Sequence, residues 1–383
     1  MNEPFRGDDR PTVSIGWISA APLDAEQRRL LEAVAADVHA RLERQFPDYH
    51  WERHHIERSV YPDVGPLDPL VLLELGAEEK LVRHLDYAMV FVPNELTPRN
   101  RIFVMGVPSS VLETAAFSSA RFHGEPDAAQ RLTALALHLL GHLFGLDHAH
   151  GGIMEPTGEL ADLRPKDYPP AATAEVAERL RAVADQRVEE EGDLPHGRFG
   201  FVWRTLRSDP LGILTDMLDY APWRMPLHLG RYTAATAVTV VFLFLSAEAW
   251  ELGAHLSTAW LSLGALAVIV VAGLSLYVGQ NFHQMGRVRG LREQLMRTRI
   301  VLFGALLVGI ASLWASLFVI SLVVMNAFPE VVFAGWSGQD ASSLSLPRYA
   351  AFMATLGVVA GAFGGNLEDE AEIKAVFLFD EES

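Results

Sequence analysis

Two hydrophobic rhythms divide the chain. In the N-terminal part, short apolar runs alternate with polar and charged stretches. In the C-terminal part, apolar residues continue for roughly twenty positions at a time, the length that crosses a bilayer. In the first part, Thr12-Val-Ser-Ile-Gly-Trp-Ile-Ser19 is a β-branched and aromatic run suited to a buried strand. Asp24 followed by Gln27 gives a capping-box start to a helix predicted to reach Phe46, where Pro47 stops it. Tyr49–Arg58, Asp86–Val92, Arg101–Val107 and Thr114–Arg121 read as further strands. Asp127 with Gln130 is expected to cap a helix that carries His138 and His142, and Thr173–Glu191 reads as a charged amphipathic helix. The prediction is an α/β unit over residues 11–191, preceded by a polar, disordered stretch over 1–10. Residues 192–231, rich in Gly, Pro and Trp, read as a linker or juxtamembrane segment. Trp203 and Trp223 there suit either a headgroup-level position or packing on the domain.

The pattern changes at Thr233. Thr233–Trp250, Ala259–Gly279 and Ile300–Asn326 are long apolar runs in which only Glu248 is charged, and Ala350–Gly365 is a shorter Gly/Ala-rich run. They predict an all-α membrane domain over 232–366 with three to four transmembrane helices, the last packing through small residues. No ionisable residue lies in the middle of these runs, which argues against a transporter or proton pump and for an anchor. Arg287, Arg289, Arg292, Arg297 and Arg299 fall between the second and third runs, whereas Glu251–Thr258 has no Lys or Arg. With Arg224 and Arg231 before the first run, the charge bias places the N-terminal unit on the cytoplasmic side of a cell membrane, and with four spans the acidic tail 367–383 lies there too. Within that tail, Ala375–Phe379 either docks as a strand or stays flexible.

Composition sharpens this picture. The 383 residues suffice for two domains, half of them are hydrophobic, and the mean hydropathy is positive. A formal net charge of −17 argues against nucleic acid as a partner. There is no cysteine, hence no disulfide framework, and the polar N-terminus is not a cleaved signal peptide.

The candidate chemistry is His138-Leu-Leu-Gly-His142-Leu-Phe-Gly145-Leu-Asp-His148, followed by Met154. Residues at i and i+4 share a helix face, so His138 and His142 can bind one zinc at roughly 2.0–2.1 Å. Gly145 lets the chain leave the helix in a left-handed conformation and bring in His148 as a third ligand. His150 reads either as a spare ligand or as a solvated loop residue. Leu139 follows the first histidine.

His-x-x-x-His-x-x-Gly-x-x-His with a following methionine resembles the metzincin signature of the zinc metallopeptidases. The wording around Gly141 and Gly145, then Gly152-Ile-Met154-Glu-Pro156, is most similar to the matrixins and archaemetzincins. The resemblance implies an α+β zincin-like fold over roughly 12–190, with a mixed sheet and a metal-binding helix. It further implies Zn²⁺ held by His138, His142 and His148, with Met154 as the floor beneath it. It also implies that a last strand before the helix receives an extended peptide, for which Phe117–Arg121 is the candidate; a plain covered strand is the alternative. The family's water-activating glutamate corresponds to Leu139 here, so the catalytic residue is unknown. Glu155, Glu113 and Glu159 are the sequence-near substitutes, each equally readable as a solvated carboxylate. Asp147 would orient a histidine or cap the turn. Two functions stay open: a membrane-anchored zinc peptidase acting on peptide bonds, or a pseudoprotease that binds a peptide or protein partner without turnover. Membrane lipids are partners in both.

Overall fold

The computed structural model describes residues 10–99, 101–125, 127–149, 152–156, 163–190, 207, 210–219, 222–228, 230–279, 293–337 and 345–365. The predicted disordered N-terminus, His150, Glu159, most of the linker, the arginine-rich loop up to Arg292 and the acidic tail lie outside these residues. Two compact units emerge, one built mainly on Met1–Gly197 and the other on Arg198–Met285 and Gln294–Phe377.

The first unit is a mixed five-stranded sheet between helical layers. Its strands are β1 (Thr12–Ser19), β2 (His50–Glu57), β3 (Tyr87–Val92), β4 (Gly106–Ser109) and β5 (Thr114–Ser118), in the order β2-β1-β3-β5-β4. Only the β4–β5 pair is antiparallel. Strand residues alternate between the two faces. Val13, Ile15 and Trp17, with Tyr87, Met89, Phe91, Ala115 and Phe117, join a core filled by α1 (Ala25–Gln45) and α3 (Ala128–Leu143). The opposite face receives α2 (Pro69–Arg83), where Gly76 lets the helix backbone come against Thr114 and Val90. A long helix, α4 (Pro170–Glu190), follows the site region and contributes buried Val176 and Leu180.

Local chemistry accounts for the helix ends. At α1, Asp24 accepts from Gln27 N at 2.8 Å while the Gln27 side chain accepts from Asp24 N at 2.9 Å, which completes the capping box. The cap expected at Asp127 does not form, because its backbone (φ −105°, ψ 19°) is not in the extended conformation that aims a capping carboxylate at the helix. The strand expected over Arg101–Val107 begins only at Gly106.

The candidate peptide-receiving strand is corrected. Phe117 and Ser118 belong to β5, which is paired on both sides by β3 and β4, and Ala120–Phe122 is a short 3-10 turn. The edge position falls to β4, whose four residues are all buried and which contains Pro108, a residue with no N–H to donate.

Among its described residues the second unit has helices as its regular elements: α5 (Pro210–Asp219), α6 (Met225–His228), α7 (Gly230–Phe244), α8 (Ala247–His255), α9 (Thr258–Gly279), α10 (Glu293–Ala327), α11 (Glu330–Ser337) and α12 (Leu346–Gly365). Among the described residues, Thr258–Gly279, Arg299–Ala327 and Leu346–Phe363 are long and apolar enough to cross a membrane. The predicted first span, Thr233–Trp250, is not one helix. It breaks at Leu245-Ser246 into α7 and α8, which meet at 86°, because Ser246 takes an extended conformation and its side chain accepts from Ala249 N to start a new helix. Small residues let α12 close on α7. A Cβ at Gly357 would lie 2.8 Å from Val240, and one at Gly361 would overlap Thr236 and crowd Tyr232.

Candidate metal centre

Three imidazoles meet at the C-terminal end of α3. The His138 and His142 rings are 4.8 Å apart between centroids, and His148 closes the group at 5.3 Å from the first and 4.7 Å from the second. One nitrogen from each ring lies within 4.8 Å of the others, so the trio can hold a metal ion. Helical spacing brings the first two together, and a turn brings the third. Gly145 has φ +80°, Gly145 N donates to His142 O at 2.9 Å, and Leu146 N donates to Gly141 O at 2.9 Å. This pair of bonds is a Schellman closure, which folds the chain back beneath the helix end.

The donor set suits zinc. His138 is buried, and its Nδ1 lies 2.7 Å from the carbonyl of Ile153. A carbonyl only accepts, so Nδ1 carries the proton and Nε2 presents its lone pair. That Nε2 lies 3.1 Å from His142 Nε2. Two nitrogens at this spacing, each about 2.0–2.1 Å from one ion, subtend an angle of roughly 100°, close to tetrahedral. Burial grades from His138 (buried) through His142 (intermediate) to His148 (exposed), so the trio opens toward solvent.

The floor is built around a glycine. A Cβ at Gly141 would overlap Met154 Sδ and come within 3.2 Å of Tyr168 Cε1. Met154 is buried, and its carbonyl accepts from Ala149 N at 2.9 Å, tying the two ends of the loop together. Tyr168 donates its hydroxyl to Leu137 O at 2.6 Å, one residue before the first ligand. Burial pushes this phenol far above its usual range, so it stays a donor. Tyr168 was not singled out in the sequence. Its distance from the histidine motif leaves no local signal, and only the tertiary fold brings it there.

Leu139 lies in the core. It is fully buried, and its Cδ1 would lie 2.8 Å from a Cβ at Gly106 of β4. The proposed substitute carboxylates are engaged elsewhere. Glu113 pairs with Lys80 of α2, on the other side of the sheet, and Glu155 pairs with Lys166 at 3.2 Å. Asp147 is exposed.

Neither a family model nor a curated protein matches the sequence. Solved structures similar to the chain include the archaemetzincin of Methanopyrus kandleri, at 17% identity and TM-score 0.36, covering 45% of this chain and 97% of that one. The archaemetzincin of Archaeoglobus fulgidus complexed with malonate is 15% identical with TM-score 0.33, covering 43% and 99%. A zinc-dependent peptidase from Methanocorpusculum labreanum is 19% identical with TM-score 0.33, covering 42% and 99%.

Proposed function

We propose that the first unit is a metallopeptidase-type zinc centre that engages peptide or protein segments, carried on a membrane by the second unit with the metal centre facing the cytoplasm. The observation that carries this reading is the convergence of three imidazoles whose donor atoms lie within 4.8 Å of one another beside solvent. His138, His142 and His148 would hold Zn²⁺, with Met154 beneath. Zinc held by three histidines with an open position acts as a Lewis acid on a carbonyl oxygen or on water. His138, fixed by Ile153 O, sets the orientation of the trio, and Tyr168 and Gly141 hold the helix that carries it. The cytoplasmic orientation rests on the arginine bias of the loops, and the membrane on the three apolar helices.

A second reading is favoured by Leu139. Standing where metzincins carry their glutamate, it can neither accept a proton from water nor hand one to a leaving amine, a loss of typically ~10²–10⁴ in rate. With Glu113 and Glu155 both paired to lysines, the centre binds its peptide ligand and turns it over slowly or not at all. The test is cleavage of a random peptide library by the zinc-loaded full chain, wild type against Leu139→Glu. The peptidase reading predicts cleavage by wild type that a chelator abolishes. The pseudoprotease reading predicts cleavage only in the variant. No zinc-dependent binding or cleavage by either protein would contradict both.

A further inference from the structure

One end of the second unit holds an aromatic cluster built on Trp250, Phe333, Tyr349 and Phe352. There α7 stops, α9 and α12 begin, α10 finishes, and the short helices α8 and α11 lie against each other. Trp250 of α8 stacks on Phe333 of α11, with centroids 4.8 Å apart and planes at 22°, and also meets Tyr349 at 4.8 Å and Trp336 at 6.1 Å. At nine and eight residues, these two helices rise only about 12–14 Å, far short of the ~30 Å hydrocarbon core. Since α8 leaves α7 at 86°, the chain turns across the helices at this end instead of continuing along them.

The surfaces of α8 are sorted. Glu248, Glu251 and His255, at i, i+3 and i+7, share an exposed face with Leu252, while Trp250, Gly253 and Ala254 pack inward. Carboxylates facing hydrocarbon would be costly, whereas a polar face at a membrane surface is solvated. Beside it, Trp260 and Trp336 remain 68% and 39% exposed, with Phe328 and Val331 also open. Indole rings are enriched where hydrocarbon gives way to headgroups, with an apolar body in one layer and a polar N–H in the other.

We propose that this aromatic end docks in the headgroup layer of a phospholipid bilayer, with α8 and α11 lying along the membrane surface and Trp260 and Trp336 at the boundary. The occupant follows from continuity. The helices that are long and apolar enough to cross a membrane among the described residues each bring an end into the cluster, through Leu261, Met325 and Tyr349, so the surface that caps them coincides with the edge of the hydrocarbon. The inference rests on the membrane reading of the second unit.

The test reconstitutes the full chain into phosphatidylcholine vesicles carrying bromine either near the headgroup end or near the terminus of the acyl chains. Tryptophan quenching is then compared between wild type and Trp260→Phe, Trp336→Phe and Trp314→Phe. Trp314, inside α10 and bonded to Thr355 at 3.0 Å, is the depth reference. The emission lost on removing Trp260 or Trp336 should be quenched about twofold more by shallow than by deep bromine, with the reverse for Trp314. Deep quenching of Trp314 with no shallow preference at Trp260 and Trp336 overturns the docking while the membrane reading stands. No quenching at any of the three overturns both.

Discussion

Leu139 and the neighbouring histidines divide the labour of one helical turn. His138 and His142 turn their Nε2 atoms toward each other at 3.1 Å, while the leucine between them faces β4 and is fully buried. A glutamate at 139 would place a carboxylate against Gly106 and the core leucines, where an unpaired charge costs several kcal/mol unless it stays protonated or reaches a polar partner. Leu139→Glu should therefore lower the Tm of the zinc-free protein, and zinc should restore much of it, read by thermal denaturation with and without the metal. Equal Tm loss in both states would separate residue 139 from the metal. Another histidine, His39 on α1, sets a pH dependence. Burial above all, with the Arg53 and His50 charges, pushes its ring below the usual imidazole range against the opposing pull of Glu43. The folded state favours the neutral ring. Its stabilising contribution is present above the ordinary imidazole value of about 6.5 and is lost as pH falls below that through the lowered folded value. Stability should fall on acidification from pH 7, and His39→Gln should flatten that fall; an unchanged slope in the variant would contradict the assignment.

Among the elements, α3 shows how one helix serves both core and site. Its histidine pair stands at one end, and the turn between the two is clamped by Met154 and Tyr168 at Gly141. Gly141→Ala forces the Met154 sulfur or the helix to move, with an expected loss of roughly 1–3 kcal/mol and weaker zinc binding, measured by denaturant unfolding and metal competition. Unaltered zinc affinity would show that the clamp does not hold the centre. In the second unit, α7 and α12 meet across Gly357 and Gly361. Gly361→Leu should separate them and lower the Tm in detergent, whereas Gly264→Leu on α9, a position with open space around it, should not. Indistinguishable Tm values for the two variants would remove the case for that packing.

For the whole molecule, what could be read from the sequence follows how local each signal is. Asp24 and Gln27, or His138, His142 and Gly145, act within a few residues of themselves, so spacing alone reveals them. Strand order depends on contacts between distant residues, and for that reason Phe117–Arg121 reads from sequence either as a peptide-receiving edge or as a covered strand; the pairing of β5 with both β3 and β4 decides for the second at Phe117. The break between α7 and α8 is hidden in the sequence because Thr233–Trp250 carries no charge before Glu248 and no Pro or Gly, and the Ser246 cap starts the new helix. Tyr168 acquires its role from tertiary neighbours and carries no local sign of it, whereas Leu139 stands out beside His138 and only its packing on β4 needs the fold. One chain thus carries a trio of histidines that can hold a metal ion and, among its described residues, three helices long and apolar enough to cross a membrane. The most direct test is the zinc content of the full-length protein, purified in detergent and dialysed against trace zinc, wild type against His138→Ala. About one zinc per wild-type chain and a near-total loss in the variant are predicted; equal and negligible zinc in both would contradict the account.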